Sequence, residues 1–167
     1  GLLWFGWFGF NGGSALAADG IAATAFVATH LAGMAGMAMW LFVEWIHRKQ
    51  PTTLGAASGA IAGLATITPT AGFVGPVSAI IIGLIGGAAC YGAVNLKSKL
   101  GLDDSLDVVG IHGVGGLLGT LCLGLFASKA VNPGGADGLL AGNPAFFGTQ
   151  VFGVLVVGVY AFVVSWI

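Results

Sequence analysis

The groups in this sequence that could do chemistry are histidine, hydroxyl and aromatic side chains in apolar surroundings. His112 sits in the run Asp107-Val-Val-Gly-Ile-His-Gly-Val-Gly-Gly, among Gly110, Gly113, Gly115 and Gly116. An imidazole is neutral for much of its time near neutral pH and can donate or accept a proton, so it is cheaper to bury than a carboxylate. The glycines remove bulk around it, which suits a narrow passage or a close helix contact. The plainer alternative is a histidine bonded to a neighbouring carbonyl. Trp7, Phe10 and Ser14 are three and four apart, so on a helix they share one face. A hydroxyl with aromatic rings one turn deeper can hold a cation, because aromatic faces attract cations once water is excluded. Core packing or an interfacial aromatic belt would give the same stripe. His30, with Thr29, Met34 and Met37 nearby, reads as part of a packed interface, and His47 is expected in a basic loop. Asp19, Glu44, Asp103, Asp104 and Asp137 fall at the ends of apolar runs, where a solvated role is expected. Cys90 and Cys122 have neither metal-ligand spacing nor a disulfide framework. No cofactor is implied, and no nucleophile–base spacing points to an enzyme.

What must position these groups is a membrane. Of 167 residues, 57% are hydrophobic and 7% charged, against about 25% charged in a soluble domain. Mean hydropathy is +0.99. Disorder is excluded, since it requires low hydrophobicity, and a net charge of -1 offers no basic field for nucleic acid. The 31 glycines show no collagen period; in so apolar a chain they fit closely packed transmembrane helices. The fold class is an all-α polytopic membrane protein.

A spanning helix needs about 20 apolar residues. Charges and Pro/Gly clusters divide the chain into six candidate spans, at residues 2–17, 21–46, 53–68, 76–96, 105–127 and 145–167. The first and third are short for a full crossing, which points to tilt or to missing residues, and both chain ends look cut. Arg48, Lys49, Lys97 and Lys99 follow the second and fourth spans, whereas Lys129 alone lies opposite. The positive-inside rule makes that richer side cytoplasmic, with the C-terminus on the same side. His112 lies seven residues into the fifth span, roughly 10 Å deep at the helical rise and near the bilayer midplane. Gly9/Gly13, Gly55/Gly59/Gly63, Gly83/Gly87 and Gly115/Gly119 each line one helix face and are expected to mark tight helix crossings.

Three strings, GWFGFNGGSALAADG (Gly6–Gly20), SGAIAGLATITPTAG (Ser58–Gly72) and DDSLDVVGIHGVGG (Asp103–Gly116), resemble the ammonium transporter (Amt/Mep/Rh) family. Order and spacing agree over essentially the whole chain, and GWFGFNGGS looks closer to the Amt branch than to Rh proteins. Members have eleven spans, the first ten forming two inverted five-helix repeats with a pore between them. The chain resembles spans six to eleven, the last incomplete, so the second repeat plus part of the final helix is implied.

The resemblance also implies roles. His112 matches the second histidine of the twin-His pair lining the pore centre, Phe10 the inner phenylalanine of the external gate, and Ser14 the hydroxyl of the outer ammonium-recruitment site. Trp7 matches a pore-lining tryptophan below the gate; Ser58 and Asp107 match groups near the cytoplasmic exit. His30 matches no pore histidine. The first twin histidine, the recruitment-site tryptophan, the other gate phenylalanine and the first-repeat aspartate belong to helices outside this chain. Implied partners are ammonium or ammonia, the lipid of a cell membrane, a homotrimer in the full-length context, and a cytoplasmic PII-type regulatory protein. The expected function is ammonium transport through a hydrophobic pore, with deprotonation at the mouth or at the twin-His centre. An ammonium sensor of the same fold, signalling rather than carrying flux, is the alternative. A purely structural bundle is disfavoured by the buried histidine amid glycines.

Overall fold

Capping residues stand where the apolar runs break, and they set the helix limits in a computed structural model that describes all 167 residues. Helix α1 (Leu2–Gly13) is 12 residues long. It stops because Gly12 and Gly13 weaken it and Leu16, at φ 59°, turns the chain out of helical register. The first candidate span therefore ends four residues earlier than the apolar run. Asp19 then opens α2 (Gly20–Arg48), its carboxylate accepting from the backbone N–H groups of Ile21 and Ala22, as an N-cap should. Lys49, at φ 65°, closes α2. The Thr52 hydroxyl accepts from Gly55 N at 2.9 Å and starts α3 (Thr53–Ile67). Pro76 at the first helical position starts α4 (Pro76–Leu100), which ends at Gly101 with φ 65°.

The chain then runs through a non-helical stretch into a π turn (Val109–Gly113) that continues into α5 (Val114–Phe126). A loop with a short 3-10 turn at Leu139–Ala141 leads to α6 (Pro144–Trp166), capped by Asn143. Helices α2, α4 and α6, and the π turn with α5, are long and apolar enough to cross a membrane; α3 is shorter. The architecture is all-α, as the composition requires.

Helices α2, α3 and α4 form the packed centre, crossing where glycine lets backbone meet backbone. A Cβ on Gly36 would meet Gly63 and the Gly59 carbonyl at 2.7 Å, and one on Gly63 would collide with the Ala32 carbonyl. Gly83 and Gly87 face the Ala32 and Gly36 carbonyls in the same way, and Gly119 faces that of Thr66. Dispersion between close backbones is what such crossings gain in lipid. Gly9 and Gly13 behave differently: nothing lies within 4 Å of either, so their face of α1 is open in this chain. Around the crossings lie two apolar clusters, one built on Ala28, Ile67, Val74 and Ile82, the other on Trp40, Cys90, Tyr91 and Ile111.

Three side chains depart from expectation. Glu44 is buried rather than solvated, at 3% exposure. It accepts from the Thr52 backbone N–H and hydroxyl, both at 3.0 Å, which staples the end of α2 to the start of α3. Gly55 makes that possible, because a Cβ there would strike the carboxylate. His30 is exposed at the rim of the α1–α2 interface, its ring resting against Trp4 and Phe8 of α1. The buried part of that interface lies beside it, where Asn11 donates to the Thr29 hydroxyl at 2.9 Å. His47 belongs to the last turn of α2, its Nδ1 2.7 Å from the Tyr91 hydroxyl.

Candidate functional site

The shared face of α1 carries a row of rings that reaches the π turn before α5. Phe10 meets Trp7 edge to face, centroids 6.5 Å apart, and Trp7 lies nearly parallel to His112 at 6.1 Å and 13°. Trp7 is fixed from behind. Its Nε1 donates to the Thr68 hydroxyl at 2.8 Å, and that hydroxyl donates to the Leu64 carbonyl. A tryptophan N–H in apolar surroundings needs such a partner. Phe10 and His112 stay exposed and Trp7 is half-buried, so the row lines an open surface of the chain.

At the Ser14 end of the row, Ser14 and Phe10 border a cavity of about 250 Å³, with Asn11, Thr68, Phe73 and Asn132 among its walls. The Ser14 hydroxyl donates to the Phe10 carbonyl at 2.7 Å, which leaves its oxygen lone pairs to accept. Asn132 comes from the loop after α5, held by an Asx bond from Gly134 N at 3.0 Å. That loop is pinned to the α3–α4 connection, since Ser128 N donates to the Phe73 carbonyl.

His112 rides on the π turn and not on regular helix. The helical segment begins later than the apolar run, so His112 stands in its first turn rather than seven residues in. Its place is set by what packs behind it. A Cβ on Gly110 would meet the Val94 side chain at 2.8 Å, and the Ile111 carbonyl accepts a weak bond from Cys90 Sγ at 3.6 Å. The turn preceding it is tied by acids. Asp104 accepts from Val108 N and Val109 N at 2.9 and 2.8 Å. Partial desolvation acts to raise the Asp104 pKa, but these N–H donors, with Lys97 nearby, outweigh it and hold the carboxyl below its ordinary value. Asp107, at φ 56°, pairs with Lys97 at 2.5 Å, both side chains being partly buried.

The structure thus brings Phe10, Trp7 and His112 into one row, with Ser14 beside Phe10, and leaves Asp107, five residues before His112, paired with Lys97 of α4. Ser58 does not join them through any side-chain hydrogen bond; it is half-buried on α3, three residues from the buried Gly55. Thr68 and Lys97 were not singled out for chemistry by their sequence positions. Thr68 was one hydroxyl in an apolar run, and Lys97 counted only toward the charge that sets topology. No three His, Cys, Asp or Glu side chains converge as a metal site would need.

Apolar helices that cross at glycines, several of them long and apolar enough to span a bilayer, define an all-α polytopic membrane protein. The chain belongs to the Ammonium Transporter Family, whose sequence model matches residues 1–167. It is 53% identical over 167 residues to an ammonium transporter of Bacillus subtilis (strain 168), covering 99% of this chain and 41% of that one. Its fold matches the crystal structure of Candida albicans Mep2 with a TM-score of 0.92 at 39% identity, covering 97% of this chain and 37% of that one. A structure described as a sensor Amt protein matches at 0.78 and 35% identity, covering 92% of this chain and 37% of that one. The chain therefore spans about two fifths of the length of these relatives.

Proposed function

We propose that this chain supplies one wall of a pore that moves ammonium across a cell membrane as ammonia, with Ser14 and Phe10 at the outer mouth and Trp7 and His112 in the dry section. The single observation carrying the reading is the parallel seating of His112 on Trp7 at 6.1 Å, continuous with Phe10. An ammonium ion that entered so apolar a passage would lose its hydration without a countercharge, at a cost of several kcal/mol. A cation drawn to the hydroxyl and aromatic faces at the mouth gives up its proton to water there or to a neutral imidazole nitrogen of His112 deeper in, and neutral ammonia continues. Imidazole nitrogens replace the water hydrogen bonds that ammonia leaves behind. Potassium has no proton to lose, so the same device discriminates where size does not.

Asp107 and Ser58 stand toward the cytoplasmic exit in this reading, and the positive charges of Arg48, Lys49, Lys97 and Lys99 orient that side and the C-terminus inward. Assembly as a homotrimer and a PII-type regulator on the inner face accompany the transport reading.

The test is His112→Ala in the full-length protein, reconstituted in liposomes and assayed by ammonium-driven pH change and by methylammonium uptake. A folded variant with altered ammonium flux or reduced discrimination against potassium is expected. Unchanged rate and selectivity would overturn the role of His112.

A further inference from the structure

We propose that Lys97, at the end of α4, is a positioning residue for His112, acting through its pairing with Asp107; the inference rests on the pore reading above. Three α4 side chains four and three apart, Cys90, Val94 and Lys97, share one helix face. Each touches the segment that carries the imidazole. Cys90 Sγ reaches the Ile111 carbonyl, Val94 fills the space that Gly110 leaves, and Lys97 Nζ bonds both the Asp107 carboxylate at 2.5 Å and the Asp104 carbonyl at 2.6 Å. The first two contacts are apolar or weak and would allow the segment to slide along α4. Lys97 alone makes charge-assisted bonds there, and such bonds are directional.

The connection from Lys97 to His112 is short. Asp107 N donates to the Asp104 carbonyl and the Asp107 carbonyl accepts from Ile111 N at 2.8 Å, one residue before His112. Asp107 also holds a left-handed backbone conformation, φ 56°, which a residue with a Cβ keeps only when its surroundings impose it. Neutralising Lys97 removes the side chain that holds Asp107 there. The π turn, already an irregular piece of helix, is then free to settle into a more regular winding that carries the imidazole off the Trp7 face.

Four variants of the full-length protein in liposomes test this: Lys97→Met, Lys97→Gln, Lys97→Arg, and Lys97→Met combined with His112→Ala. Lys97→Met is expected to lower the maximal ammonium flux about tenfold, the scale at which small misplacements are felt, and to reduce discrimination against potassium. The half-saturating ammonium concentration should stay unchanged, because the Ser14 mouth is untouched. Lys97→Arg should restore flux, and Lys97→Met should have no further effect when His112 is already alanine. Hydrogen exchange at the amides of 108–112 should rise about tenfold in Lys97→Met while α5 stays protected. If Lys97→Met does not fold, Lys97→Gln, which keeps a donor for the Asp104 carbonyl but no charge, carries the same expectations. Flux and selectivity unchanged in a folded variant, or an equal loss with and without His112, overturns the proposal and leaves the pore reading standing. A His112→Ala protein with normal flux and selectivity overturns the pore reading itself.

Discussion

The indole N–H of Trp7 is spent on the hydroxyl of Thr68, 61 positions away in the chain, and that bond decides which way the ring faces. With the N–H turned into the protein, Trp7 offers His112 its flat apolar face and offers a passing molecule no donor. In the proposed pore, that leaves the imidazole as the polar group of the ring row that passing ammonia meets.

Thr68→Val should therefore impair transport through the ring row, although Thr68 itself only borders the cavity beside Ser14. The substitution keeps volume but leaves the indole N–H unpaired, a loss worth about 1–3 kcal/mol, and the ring is expected to rotate toward a new partner. Flux should fall on the order of tenfold. Trp7→Phe combined with Thr68→Val should be no worse than Trp7→Phe alone, as measured in a double-mutant cycle of liposome flux.

Ser14→Ala should have a milder effect, raising the half-saturating ammonium concentration severalfold with little change in maximal flux. Its hydroxyl already donates to the Phe10 carbonyl and offers a cation only lone pairs, as one ligand among several at a partly hydrated mouth. Complete loss of transport would mean that the outer site is wrongly placed.

Gly63→Ala should destabilise by about 1–3 kcal/mol, the usual cost of overpacking, because the new methyl would collide with the Ala32 carbonyl. Gly12→Ala is the control: its Cβ would lie 3.6 Å from the Ala22 carbonyl, an ordinary contact. Thermal unfolding of the detergent-solubilised protein should separate the two.

Glu44→Ala should cost about 2 kcal/mol, since the Thr52 N–H loses its acceptor in a buried site. Glu44→Gln should cost less, because its amide oxygen can still accept from that N–H while its NH₂ donates to the hydroxyl. The same unfolding assay checks both.

The Asp104 cap gives a pH dependence with a definite sign. Its folded-state pKa is depressed, so its contribution to stability is present above the ordinary aspartate value of 3.8 and is lost as pH falls through the lower folded value. The stability difference between wild type and Asp104→Asn should be constant at neutral pH and should vanish in acid.

Helix number, membrane character and the ring row were legible because they rest on composition and on spacing along one helix. Trp7, Phe10 and Ser14 needed only the i, i+3, i+7 pattern. Glu44 was not legible: a carboxylate at the end of an apolar run is normally wet, and only the return of α3, with Gly55 making room, buries it. Nor was the π turn, since the hydrogen bonding around Val109–Gly113 answers to Cys90, Val94 and Lys97, which approach from another helix. Lys97 showed its charge in the sequence and hid its partner. Thr68 was one hydroxyl among several until α1 brought an indole to it.

The π turn has a consequence for how this segment can change. A turn of that kind winds one more residue than an α turn, so it acts as a phase shifter between the residues on its two sides. Downstream, Gly115 and Gly119 must face α3; upstream, Asp107 must face α4, and His112 in between must face α1. In an unbroken α-helix those three bearings are locked together at about 100° per residue. The extra residue shifts the phase between His112 and the glycines, and the left-handed backbone of Asp107 sets the third bearing apart. Deleting any one residue from 109–113 would swing the imidazole or the latch by that same angle while leaving composition and hydropathy almost unaltered. A side-chain exchange in this stretch acts at one position, as at Gly110 against Val94, whereas a change in its length moves every contact on one side of it.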